Sequence, residues 1–135
     1  MEKIFIDSDV ILDLLAEREP FNIPAAKLIS LGVENKIELY TSSLCFHNLN
    51  YLLSKQSSKT ISRQILIDFR KLINILSVND RIIDFALNSD FSDFEDAIQY
   101  HTALENQINA IVTRNLKDYK KATIPVMTAE MYLAG

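Results

Sequence analysis

The chain has 135 residues, 48% of them apolar and 24% charged, with a formal net charge of −4; this suits one domain, residues 1–135, with a substantial core. The acidic balance excludes a general nucleic-acid coat, though a local basic rim can still bind phosphate. With only two glycines, Gly32 and Gly135, the glycine-rich loops of P-loop nucleotide hydrolases and Rossmann dinucleotide sites are absent.

Met1-Glu2-Lys3 leads into three apolar residues and then Asp7, so no signal peptide is expected. No later stretch is long and apolar enough to span a bilayer. The cytoplasm is therefore the expected compartment. Residues 3–6 read as a buried strand, and helix 8–17 follows, with Val10 and Leu14, and Ile11 and Leu15, at i, i+4 spacing. Helix 22–34 carries Ala25, Leu28, Ile29, Gly32 and Val33 on its apolar stripe. Strand 36–40 precedes helix 43–54, which contains Cys45, the single cysteine. An internal disulfide is thereby excluded, and Cys45 reads as a core thiol. Helix 61–74, strand 75–78 and helix 80–88 come next.

Ser92-Asp93-Phe94-Glu95 has the form of a capping box with Ser92 as N-cap. It opens helix 93–107, with Asp93 in the first helical position and Asp96 in the fourth, on one face. Ala97, His101 and Leu104 form a stripe expected to face the core, which makes His101 a core histidine rather than a metal ligand. Strand 109–113, strand 124–127 and a short helix 128–134 complete the chain. Strands alternating with helices predict a three-layer α/β/α sandwich around a central parallel sheet.

The chemistry-bearing residues fall into three groups. Asp7 and Asp9 follow the first strand. Asp93 and Asp96 stand at a helix start. Thr113-Arg114-Asn115-Leu116-Lys117-Asp118 follows the fourth strand. Any one acid at a helix start is accounted for as an N-cap. Several acids meeting at the carboxyl edge of a parallel sheet instead suit a hard divalent cation and metal-assisted chemistry.

Three segments carry a family resemblance: Phe5-Ile6-Asp7-Ser8-Asp9-Val10-Ile11-Leu12-Asp13-Leu14-Leu15, Asp93-Phe94-Glu95-Asp96-Ala97-Ile98-Gln99-Tyr100, and Thr113-Arg114-Asn115-Leu116-Lys117-Asp118-Tyr119. With the ending Ile124-Pro125-Val126-Met127-Thr128, the chain resembles a PIN domain over essentially its whole length. This is the small ribonuclease fold of VapC-type toxins and related nucleases. The resemblance implies a metal-dependent endoribonuclease that hydrolyses phosphodiesters in single-stranded RNA, the toxin of a toxin–antitoxin pair. It implies Mg²⁺ or Mn²⁺ on Asp7, Asp96 and Asp118, with Asp93 assisting. Asp9, Asn48, Thr113 and Asn115 are the expected supporting residues.

Asn48 stands where the family pattern has an acid, and Asn115 where many relatives have Asp. Leu44, Cys45, Tyr51 and Leu52 surround Asn48 at helical spacing, which predicts a largely apolar setting. Asn48 is then either a core amide or a neutral orienter of the site. Arg114, Lys117, Lys120 and Lys121 are candidate RNA contacts, with solvated surface as the simpler reading. A homodimer through the apolar helices of the first half and an antitoxin protein are the implied partners. Two alternatives stay open: a degenerate PIN domain that binds RNA or protein without cutting, and a phosphatase using Asp7-Ser8-Asp9 as a D-x-D pair.

Overall fold

Ile4, Phe5 and Ile6 are wholly buried because they form the middle of the sheet. A computed structural model describes residues 1–135. Strand β1 (Lys3–Ile6) pairs in parallel with β2 (Glu38–Ser42) on one side and β4 (Ala110–Val112) on the other. β3 (Asn74–Leu76) and β5 (Val126–Met127) take the edges, also parallel, giving the order β3-β2-β1-β4-β5.

The pleat sends alternate side chains to opposite faces. Ile4, Ile6, Ala110 and Val112 pack on one side with α1 (Ser8–Leu15), α2 (Asn22–Val33), α3 (Ser43–Gln56) and α4 (Lys59–Arg70). Phe5 and Ile111 pack on the other with Tyr100, Ala103 and Tyr119, which come from α6 (Phe94–Glu105) and a 3-10 turn over Leu116–Tyr119. α5 (Asp80–Leu87) lies against α6, and α7 (Ala129–Ala134) against α2. This is the three-layer α/β/α architecture with a central parallel sheet that the sequence predicts. No helix is long and apolar enough to cross a membrane.

Three helices end in the same way without glycine. Glu17, Asn35 and Gln107 adopt φ of 53°, 59° and 55°. In each case the next residue's N–H returns to a carbonyl five residues back: Arg18 to Asp13 at 2.9 Å, Lys36 to Leu31 at 2.9 Å and Ile108 to Ala103 at 3.1 Å. These are Schellman motifs, which satisfy the last carbonyls of a helix. The second of them consumes Lys36, so β2 begins at Glu38 and runs through Ser42 rather than over 36–40.

Gly32 serves packing instead: a Cβ there would lie 2.3 Å from Leu39 Cδ1 and 2.7 Å from its Cγ. Leu39 is itself only 3% exposed, so it cannot move aside freely. Gly32→Ala is therefore expected to destabilise the fold by about 1–2 kcal/mol, overpacking outweighing the gain in helix propensity; urea unfolding measures it.

The opening of α6 differs from the capping-box reading. Asp93, not Ser92, is the N-cap, and its carboxylate accepts the N–H of Asp96 at 2.9 Å. Asp93 thus lies outside the helix in extended conformation, where a charged acceptor faces the positive end of the dipole. The buried face of α6 is Asp96, Ala97, Ile98, Gln99, Tyr100, Thr102 and Ala103. His101 and Leu104 are only half-buried. His101 stacks on Phe85 with ring centroids 5.6 Å apart, so it is a flank residue, not a core histidine. Cys45 is buried, and desolvation pushes its thiol up to about 12, which leaves it inert.

Candidate metal centre

Asp7 is the first residue after β1, and its N–H pairs with Val112 O at 2.9 Å, which sets it at the carboxyl edge of the sheet. It caps α1: Oδ1 accepts the N–H of Ser8 at 2.8 Å. Oδ2 accepts two hydroxyls, from Tyr119 at 3.0 Å and from Thr113 at 3.1 Å. Asp7 is 4% exposed. Burial, and then the charge of Asp9, raise its carboxyl from an ordinary 3.8 to about 7. Its three hydrogen bonds oppose that shift without offsetting it.

Asp9 stands in the first turn of α1. Its Oδ1 accepts the N–H of Val10 at 2.7 Å, and its Oδ2 accepts the main-chain N–H of Arg114 at 2.9 Å. Thr113 Oγ1 lies 3.4 Å from the same Oδ2. Thr113 is fully buried and also accepts the N–H of Asn115 at 3.1 Å. The loop after β4 therefore orients both N-terminal acids. The side chain of Asn115, exposed, caps nothing.

Asp96 approaches from α6 and is 7% exposed. Burial raises its carboxyl to about 7, and the charges of Asp7, Asp93, Asp118 and Glu95 add to the shift. Four other carboxylates thus act on Asp96, and the structure brings Asp7, Asp93, Asp96 and Asp118 into one electrostatic neighbourhood. Asp118, half-buried in the 3-10 turn, also lines a groove of about 260 Å³ with Asp90, Phe91, Ser92, Lys117, Lys120 and Lys121.

Two residues sit differently from the sequence expectation. Asn48 is half-buried rather than a core amide, and its Nδ2 donates to Glu95 Oε1 at 2.8 Å. The apolar neighbours at helical spacing misled because α3 turns this position toward α6. Arg114 directs its guanidinium not outward for RNA but onto Asp13, with Nε and Nη2 at 2.7 and 3.0 Å.

Several participants went unread in the sequence. Glu95 passed as a capping residue. Tyr119 follows Asp118 directly, but nothing in the sequence says that it folds back onto Asp7. Gln99 is wholly buried, accepts the hydroxyl of Ser42 at 2.6 Å, and its Nε2 has no protein partner. Asp13, buried among apolar neighbours, could have been noticed at i+4 from Asp9.

As the side chains stand, no three Asp, Glu, His or Cys residues are gathered into a metal-holding cage. The donor chemistry nevertheless fits a hard cation. The donors are carboxylate oxygens, neither Asp7 nor Asp96 has an ion-pair partner, and their repulsion is what a dication relieves.

Comparison with known proteins identifies the family and the fold. A PIN domain family profile matches residues 3–117. The chain is 30% identical over 139 aligned positions to Ribonuclease VapC1 of Aquifex aeolicus (strain VF5), covering 97% of this chain and 93% of that protein. Among solved structures, DNA-bound VapBC from Salmonella typhimurium aligns with a TM-score of 0.73 at 13% identity, over 96% of this chain and 99% of that one. VapC20 of Mycobacterium tuberculosis, described as a Sarcin-Ricin loop cleaving toxin, aligns with a TM-score of 0.68 at 14% identity, over 87% and 95%. At these identities the two structures speak for the fold alone.

Proposed function

The chain belongs to the PIN domain family, and from that premise we propose that it is a metal-dependent endoribonuclease of the VapC toxin type, acting on single-stranded RNA. The observation that carries the metal dependence is the unpaired, buried pair Asp7 and Asp96, both held near 7 at one sheet edge. Asp7, Asp96 and Asp118 would hold Mg²⁺ or Mn²⁺, with Asp93 fixing the first turn of α6 behind Asp96. When bound, such a cation supplies Lewis-acid polarisation of a phosphate and lowers the pKa of water.

The chain's own groups do the rest. Thr113 and Tyr119 hold Asp7 by its Oδ2, and the Arg114 N–H holds Asp9. Asn48 steadies Glu95 beside Asp96. Lys117, Lys120 and Lys121, along the groove next to Asp118, bind the phosphates of the RNA strand. An antitoxin protein is the proposed partner, since relatives of this fold were solved in toxin–antitoxin complexes. A homodimer would use the exposed apolar residues Phe21, Ile23, Tyr51 and Leu52 of the first half. The cytoplasm is the proposed compartment.

A binding-only PIN domain is the second reading. It is favoured by the lack of a gathered three-acid cage and by the neutral residues Asn48 and Asn115. Incubating the purified chain with single-stranded RNA separates the two. Cleavage with Mn²⁺ or Mg²⁺ and none with EDTA is expected; RNA bound but intact under every metal condition favours the second reading. Asn48→Glu sharpens the test by setting a second carboxylate against Glu95. Metal-free protein should then melt lower through like-charge repulsion, while Mn²⁺ binding measured by calorimetry should tighten, a hard cation preferring a carboxylate to an amide.

A further inference from the structure

Residue 114 is held at both ends by one face of α1. Its main-chain N–H donates to Asp9 Oδ2 at 2.9 Å, and its guanidinium forks onto Asp13 at 2.7 and 3.0 Å. Asp9 and Asp13 are four apart and so share that face. Asp13 is 1% exposed. A second arginine closes on it: the Schellman turn that ends α1 returns Arg18, whose Nε stands 3.0 Å from Asp13 Oδ1. The Arg114 guanidinium also lies over Phe21, 4.1 Å from the ring centroid.

We propose that Asp13 is a positioning residue for the acidic site: through Arg114 it pins the loop whose Thr113 hydroxyl and Arg114 N–H orient Asp7 and Asp9. Bidentate Arg–carboxylate pairs fix geometry as well as charge, and groups behind a metal's ligands set the ligands' orientation. The inference rests on the cation-binding reading above.

Charge and geometry predict opposite results for one variant. Arg114→Met removes a positive charge next to Asp9, so electrostatics alone would tighten a cation. If Arg114 acts by pinning the loop, the same change weakens Mn²⁺ binding by about tenfold, the usual lower scale for such partners. Calorimetric titration with Mn²⁺ reads this directly. The companion measurement needs no metal: native-state amide exchange followed by NMR. The N–H groups of Arg114 and Asn115, bonded to Asp9 and Thr113, should lose about tenfold in protection beyond any change at Ile111, whose N–H is bonded to Pro125 O in the core sheet.

Unchanged or tighter Mn²⁺ binding overturns the proposal. So does an equal loss of protection at all three amides, which marks global destabilisation. Should Arg114→Met fail to fold, Arg114→Lys keeps the charge and loses the fork, and the same comparison is expected with a severalfold effect. A wild-type chain that binds no Mn²⁺ sinks the cation reading. The exchange comparison then still decides whether Asp13 brackets residue 114.

Discussion

Asp96→Asn is expected to lower RNA cleavage by about 10³-fold or more and, in the same protein, to raise the melting temperature of the metal-free form. The first effect follows from the proposed role. A cation contributes several kcal/mol of charge stabilisation, at about 1.4 kcal/mol per decade of rate, and the variant takes a charged oxygen from the three acids proposed to hold it. The second follows from the surroundings of Asp96, which is pushed up by burial and by Asp7, Asp93, Asp118 and Glu95. Asparagine fills the same space without that repulsion, and ~1 kcal/mol of relief is worth ~4 °C in a domain of this size. The N-terminal turn of α6 survives because its cap is Asp93. Cleavage assays with Mn²⁺ alongside calorimetric melts in EDTA test both. Loss of activity with a lower metal-free melting temperature would mean that Asp96 is a structural acid.

The fold was readable because hydrophobic periodicity reports burial. Ile4-Phe5-Ile6 and Ile111-Val112 are continuous apolar runs because parallel strands covered on both faces have no polar side. Helix ends were harder to place. Glu17, Asn35 and Gln107 take the left-handed position usually given to glycine, so the stop signals that sequence reading relies on are missing. Strand β5 has two residues, so the strand read over 124–127 is shortened at its start. The 3-10 turn over Leu116–Tyr119 is set by where Tyr119 lands, on Asp7, a contact spanning most of the chain.

The site was legible to the extent that its acids follow strands. Asp7 and Asp9 follow β1 directly and Asp118 lies in the 3-10 turn after β4, where position along the chain implies position in space; Asp96, separated from β3 by α5, was marked instead by the acid-rich start of α6. Gln99 and the Asn48–Glu95 bond were not legible. Each joins segments whose distance along the chain says nothing of contact, or sits in an apolar setting that points to core. Arg114 shows the limit well: its place beside the acids suggested an RNA contact, whereas the buried carboxylate of Asp13 turns it inward.

Metal-free protein is expected to lose stability as pH rises from about 4 to about 7, the reverse of what ion-paired carboxylates do. The carboxyls of Asp7 and Asp96 have an ordinary value of 3.8 and are raised to about 7 in the folded chain. Below pH 4 both states hold the protons. Between 4 and 7 the unfolded chain has released them while the folded chain retains them, so raising the pH favours unfolding. Above 7 both states are ionised and the dependence ends. For the buried Asp7 alone the loss is on the order of 4 kcal/mol across that window, a large share of the 5–15 kcal/mol typical of a domain. Mn²⁺ should reverse the trend, because a cation binds the ionised carboxylates and displaces their protons. At a hundredfold excess over Kd it adds ~2.7 kcal/mol, with affinity tightening up to about pH 7. Urea unfolding at pH 5, 6, 7 and 8, in EDTA and in Mn²⁺, measures both curves. Asp7→Asn should flatten roughly half of the metal-free slope, Asp96 supplying the rest. A metal-free curve that stays level or climbs over this range, or Mn²⁺ stabilisation equal at pH 5 and 8, would show that these two acids are not the unpaired, cation-seeking pair on which the ribonuclease reading depends.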